Sequence, residues 1–132
     1  MQALDYLRRA AARGYAAALY ELGRRYENGT DVTADAGEAM AWYRLAAAGG
    51  NANALSNIGN AYLKGTLGEK QDDAEAVRWY RAAAARGQGN AAATLAYMYE
   101  QGHGVPADQA EAVSWLRKAA SLGQVDATRD LV

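Results

Sequence analysis

Asp35-Ala36-Gly37-Glu38-Ala39-Met40-Ala41-Trp42-Tyr43-Arg44-Leu45-Ala46-Ala47-Ala48-Gly49-Gly50 decides the architecture of this chain. Ala39, Trp42, Tyr43, Ala46 and Ala47 fall at i, i+3, i+4, i+7 and i+8, one continuous apolar stripe along a helix face. The stretch opens on Asp35-x-x-Glu38, the spacing of a capping box. In that motif the Asp accepts an orphan backbone N–H and the Glu reaches back to the cap. Gly50 closes it, where a helix C-terminus needs a residue tolerant of left-handed backbone.

The same stretch returns. Asp72…Glu75 and Asp108…Glu111 repeat the cap, and Trp79 and Trp115 repeat Trp42 at spacings of 37 and 36. Each Trp is followed two residues later by Arg (Arg44, Arg81, Arg117) and then by paired alanines. Gly14, Gly50, Gly87 and Gly123 end the units. A second series lies between: Ala18, Ala54, Ala91 and Ala127; Leu22, Ile58 and Leu95; Tyr26, Tyr62 and Tyr99; Gly29, Gly65 and Gly102. Ala18, Leu19, Leu22, Gly23 and Tyr26 again draw a helical stripe. The one extra residue of the middle unit falls in the 65–71 loop, where insertion costs little.

The pattern predicts helices over about 2–13, 16–27, 36–48, 52–64, 73–86, 89–101 and 108–121, with a stub from 125. There is no strand signal. The predicted fold is all-α, a right-handed α/α superhelix of tandem helix pairs forming a single solenoid over 1–132. Its units are a partial repeat 1–14, repeats of about 15–50, 51–87 and 88–123, and a partial repeat 124–132.

Composition narrows the function. Apolar residues make up 51% of the 132, with Phe and Cys absent and nine Tyr and three Trp supplying the aromatic bulk. That mixture implies close helix contacts with rings filling the gaps. A net charge of −1 argues against nucleic acid, which needs a basic face. Arg8, Arg9, Arg13, Arg24 and Arg25 cluster near the start, but Asp5, Glu21 and Glu27 lie among them. Without Cys there is no disulfide framework or thiolate site. The first residues do not read as a secretory signal, and no apolar run is long enough for a bilayer. The expectation is a soluble protein, cytoplasmic or periplasmic, with no membrane insertion.

Residues 18–50 read Ala18, Leu22, Gly23, Tyr26, Gly29, Asp35, Ala39, Trp42, Tyr43, Ala46, Ala47 and Gly50. Residues 91–123 repeat this with Ala91, Leu95, Tyr99, Gly102-His103-Gly104-Val105-Pro106, Asp108, Ala112, Trp115, Ala119, Ala120 and Gly123. The pattern resembles the Sel-one-like repeat, a relative of the tetratricopeptide repeat, over essentially the whole chain. Ala96 stands where that family prefers Gly, and Leu116 replaces its second aromatic. The longer 65–71 loop lacks the Gly-Val-Pro form and marks the middle repeat as the weakest. The resemblance implies an adaptor or scaffold for protein complexes, often in bacterial signalling, envelope or host contact.

Catalytic residues are not expected. The three Asp/Glu pairs precede three helices alike, which is the signature of caps rather than of acid–base dyads. His103 is the only histidine, so there is no His cluster, and its place between two glycines reads as an exposed loop residue rather than a ligand; no cofactor is expected. The remaining candidates are the variable positions of the Leu-Gly-Tyr helices, expected to line the concave side. They are Tyr20, Arg24 and Glu27; Ser56, Asn60 and Leu63; and Ala93, Tyr97 and Glu100. Tyr and Arg are frequent interface anchors, which singles out Tyr20, Arg24 and Tyr97. A non-enzymatic module binding a protein or peptide in this groove is the first reading. The alternative is an engineered or excised repeat segment with a purely structural role. Self-association through solenoid ends is a further expectation, because an end repeat exposes a core face.

Overall fold

The seven predicted helices all form in a computed structural model of the chain, which describes residues 3–123. The helices are α1 (Ala3–Ala12), α2 (Ala16–Asn28), α3 (Ala36–Ala48), α4 (Ala52–Lys64), α5 (Asp73–Ala85), α6 (Gly89–Gln101) and α7 (Gln109–Ser121). No strand occurs among the described residues. The stub expected from 125, with Ala127, Leu131 and Val132, lies outside them.

Consecutive helices pack against one another, most closely within the pairs α2–α3, α4–α5 and α6–α7. The result is an α/α solenoid. Two buried clusters run through it. One is centred on Leu22, Tyr43 and Ile58, the other on Val77, Tyr80, Leu95 and Met98. Ala47, Tyr62 and Trp79 pack against both, so the core is continuous along the stack.

Small residues set the closeness of each pair. The Tyr43 ring lies on Gly23, where a Cβ would come within 2.6 Å of two ring carbons. Tyr80 lies on Gly59 in the same way, at 2.9 Å. Both tyrosines are fully buried, whereas Trp42, Trp79 and Trp115 are only half-buried. The ring beside each Trp is therefore the deeper core element.

The caps form, with one correction. Asp35, Asp72 and Asp108 each accept the N–H of Glu38, Glu75 or Glu111 at 3.1 Å. The glutamates do not reach back. Each Asp N–H instead donates to the carbonyl of Tyr26, Tyr62 or Tyr99 at 2.8–2.9 Å, closing the loop onto the preceding helix. Glu75 is thereby left to accept from Arg78 (2.6 Å) and from the Trp79 indole (3.2 Å). Asn51 and Gln88 cap α4 and α6 through the N–H groups of Ala54 and Ala91, a role the repeat pattern did not single out.

The Arg that follows each of the first two Trp residues ties neighbouring units. Arg44 donates to the Tyr62 hydroxyl (3.0 Å) and to Glu69 (3.1 Å), and lies 6.0 Å from the centre of the Trp79 ring. Arg81 repeats the contact with the Tyr99 hydroxyl. Glu69 belongs to the long loop and Leu67 packs on the core, so that loop is anchored at two points.

Candidate functional site

A helix offers one row of side chains between its packed stripe and solvent, and α2, α4 and α6 carry the candidate residues on such rows. The first position of each row turns inward. Tyr20 is half-buried, its ring tilted against Tyr43 with centroids 5.8 Å apart. Ser56 is only 6% exposed, which removes it from any set of side chains open to a partner. Ala93 is half-buried against the core. The physical reason is spacing: each precedes Gly23, Gly59 or Ala96 by three residues and so shares the edge of the packed stripe.

The second position is outward in every unit. Arg24, Asn60 and Tyr97 are exposed, Tyr97 at 57%. The third position is mixed: Glu27 and Glu100 are exposed, while Leu63 is half-buried against the core. Five of the nine candidates therefore reach solvent from these helices: Arg24, Glu27, Asn60, Tyr97 and Glu100.

Two of those five are also tied to buried phenols. The Tyr43 hydroxyl donates to Glu27 Oε1 at 2.6 Å, and the Tyr80 hydroxyl donates to Asn60 Oδ1. Burial, and then the Glu27 carboxylate, holds the Tyr43 phenol well above its ordinary range. Burial pushes Tyr80 up to about 12. Both phenols are neutral donors at physiological pH, and they orient the groups that solvent sees.

Between α2 and α4 lies a cleft of about 250 Å³ lined by Glu27, Asn57, Asn60, Ala61, Lys64, Thr66 and Leu67. Asn57, Lys64 and Thr66 are polar wall residues that the reading of the sequence missed. A signal for Asn57 existed: Glu21, Asn57 and Thr94 share one register and differ from unit to unit. A second cleft, of about 400 Å³, is lined by Glu100, Gln109, Ala112, Val113 and Leu116.

The basic cluster near the start is neutralised where the structure pairs it. Arg24 lies 3.3 Å from Glu21, and Arg25 lies 3.6 Å from Glu21 and 2.5 Å from Asp31. The three Asp side chains are occupied as caps, and the Glu75 carboxylate accepts from Arg78 and Trp79. Among the described residues no group of three or more His, Cys, Asp or Glu could hold a metal ion. No helix among them is long and apolar enough to cross a membrane.

Comparison with known proteins bears on all of this. The family model for the Sel1 repeat matches residues 1–15, 16–51, 52–88 and 89–124. No curated protein sequence matches the chain. Among solved structures, the chain is similar to a Sel1 repeat protein from Oxalobacter formigenes, with a TM-score of 0.92 and 36% identity over 99% of this chain and 98% of that one. It is also similar to a protective antigen of uropathogenic Escherichia coli strains displaying an SLR fold, with a TM-score of 0.89 and 40% identity. There it covers 96% of this chain but spans only 27% of the antigen. Helicobacter pylori cysteine rich protein B shares the fold, with a TM-score of 0.74 and 22% identity over 98% of each chain. With four successive repeats accounting for nearly every helix described above, the chain belongs to the Sel1 repeat family.

Proposed function

We propose that the protein is a non-catalytic scaffold that binds a protein or peptide on the face formed by α2, α4 and α6. The family commonly supplies protein-interaction scaffolds. One observation carries the assignment to this face. The buried positions of the three helices repeat (Leu22, Ile58 and Leu95), while the outward position between them changes from Arg24 to Asn60 to Tyr97. Packing constrains the first set to similar chemistry and places no such demand on the second. Cation, amide and phenol in a row, with a polar cleft beside them, provide varied recognition chemistry on a rigid support.

The test is capture from extract of the source cell with the wild-type chain and with Arg24→Ala/Tyr97→Ala. Tyr20 is left intact because its ring supports Tyr43. Both substituted side chains are exposed, so helicity and melting temperature are expected to hold. Affinity for a captured partner should fall by about thirtyfold or more, the loss typical of truncating a Tyr or Arg anchor. A partner bound equally well by both chains overturns the assignment to this face.

A further inference from the structure

The third repeat differs from the other two in how its outward face is used. In the first repeat Glu27 holds the Tyr43 hydroxyl, and in the second Asn60 holds that of Tyr80. Leu116 occupies the equivalent position in α7 and has no hydroxyl to hold. Glu100, the counterpart of Glu27, has no hydrogen-bond or ion-pair partner among the described residues and lines the cleft against Val113 and Leu116.

An aromatic pair begins three residues before Glu100 on α6. Tyr97 is stacked on His103 with ring centroids 5.9 Å apart and 25° between planes. The loop bearing His103 is fixed: its N–H donates to Met98 O at 2.9 Å, and Gly104 sits so close to α5 that a Cβ would meet the Asp73 carbonyl at 2.6 Å. Tyr97 and Glu100 are three residues apart on one helix, which puts their Cβ atoms about 5–6 Å from each other. Neither α6 nor the 102–107 loop contains Lys or Arg, so no cation of those elements competes for the carboxylate.

We infer that Tyr97, Glu100 and His103 form a site for an arginine side chain of a peptide segment in the partner. A guanidinium is planar: it can lie on the exposed face of the Tyr97 ring and present N–H donors to the Glu100 carboxylate. Lysine matches the charge but lacks the plane. The inference rests on the proposed scaffold face and specifies the chemistry of its partner there.

His103 is the only histidine, so the NMR signals of its two carbon-bound ring protons are unambiguous. The full chain is titrated with a synthetic octapeptide carrying one central Arg, and with the same peptide carrying citrulline, a neutral isostere. The Arg peptide is expected to shift the His103 signal saturably, and the citrulline peptide to bind about tenfold more weakly. Glu100→Gln and Tyr97→Ala should each weaken the Arg peptide by a similar factor, while Tyr97→Phe keeps the ring and the binding. Equal shifts from the two peptides, or undiminished binding in both weakening variants, overturn the inference. A captured partner that depends on Arg24 but not on Glu100 leaves the scaffold face standing and removes the arginine site. Discrimination of Arg from citrulline with no partner dependent on the face upholds the site and removes the scaffold reading.

Discussion

Gly23 and Tyr43 show how far a single position can be constrained by one contact. Ala in place of Gly gains about 1 kcal/mol of helix propensity. Here the new methyl would meet a fully buried ring at 2.6 Å, and overpacking of that kind costs about 1–3 kcal/mol. The clash wins, because the methyl would also meet the Tyr43 Cγ, the stem of a fully buried ring, at 3.2 Å. Gly23→Ala is therefore expected to destabilise, and Tyr43→Leu on that background should recover part of the loss, reproducing the Ala96/Leu116 combination of the third repeat. Urea unfolding of the two single variants and the double gives the coupling, expected at about 1 kcal/mol or more; additive effects would refute the pairing. In the sequence Ala96 and Leu116 are two separate departures from the pattern. The fold places them in the register of Gly23 and Tyr43, and a smaller partner for a larger residue becomes one exchange.

At the scale of the helix, stripes and caps were legible because they depend on residues three and four apart. Asp72 is representative: it takes the Glu75 N–H through its side chain and gives its own N–H to Tyr62 O. Asp72→Ala removes the first bond and keeps the second, with an expected cost of about 1 kcal/mol, measurable as a lower midpoint in chemical denaturation. A loss no larger than that of an exposed alanine substitution elsewhere on α5 would show the cap to be dispensable. The reciprocal half of the box was misread because its competitor, the Tyr62 carbonyl, lies ten residues earlier on another helix. The same limit applies to the outward face. Variation between units marks positions where packing admits different side chains, but it cannot tell that Ser56 turns inward, or that Asn57 and Lys64 wall one cleft with Glu27.

Across the whole molecule, each buried cluster contains one fully buried phenol, Tyr43 in the first and Tyr80 in the second. Both ionise less readily in the fold than in the unfolded chain, whose tyrosines titrate near 10. Above that pH the unfolded chain gives up these protons while the folded chain keeps them, so ν_U falls below ν_N and stability declines. Their contribution is thus complete below about pH 10 and is lost as pH rises toward about 12 and beyond. Tyr43→Phe/Tyr80→Phe should flatten this part of the stability curve, measured by urea unfolding at intervals from about pH 8 to about pH 12. An unchanged slope would assign the alkaline loss to other groups.

The N–H of each helix-capping Asp, bonded to the carbonyl of the tyrosine in the preceding helix, has a consequence for how such arrays can diversify. It fixes the two ends of every intervening loop to each other, whatever lies between. The segment from Tyr62 to Asp72 is one residue longer than those from Tyr26 to Asp35 and from Tyr99 to Asp108, yet all three close on the same bond. Loop length can therefore change between these anchors while the closing bond is kept, as the extra residue of the 65–71 loop shows.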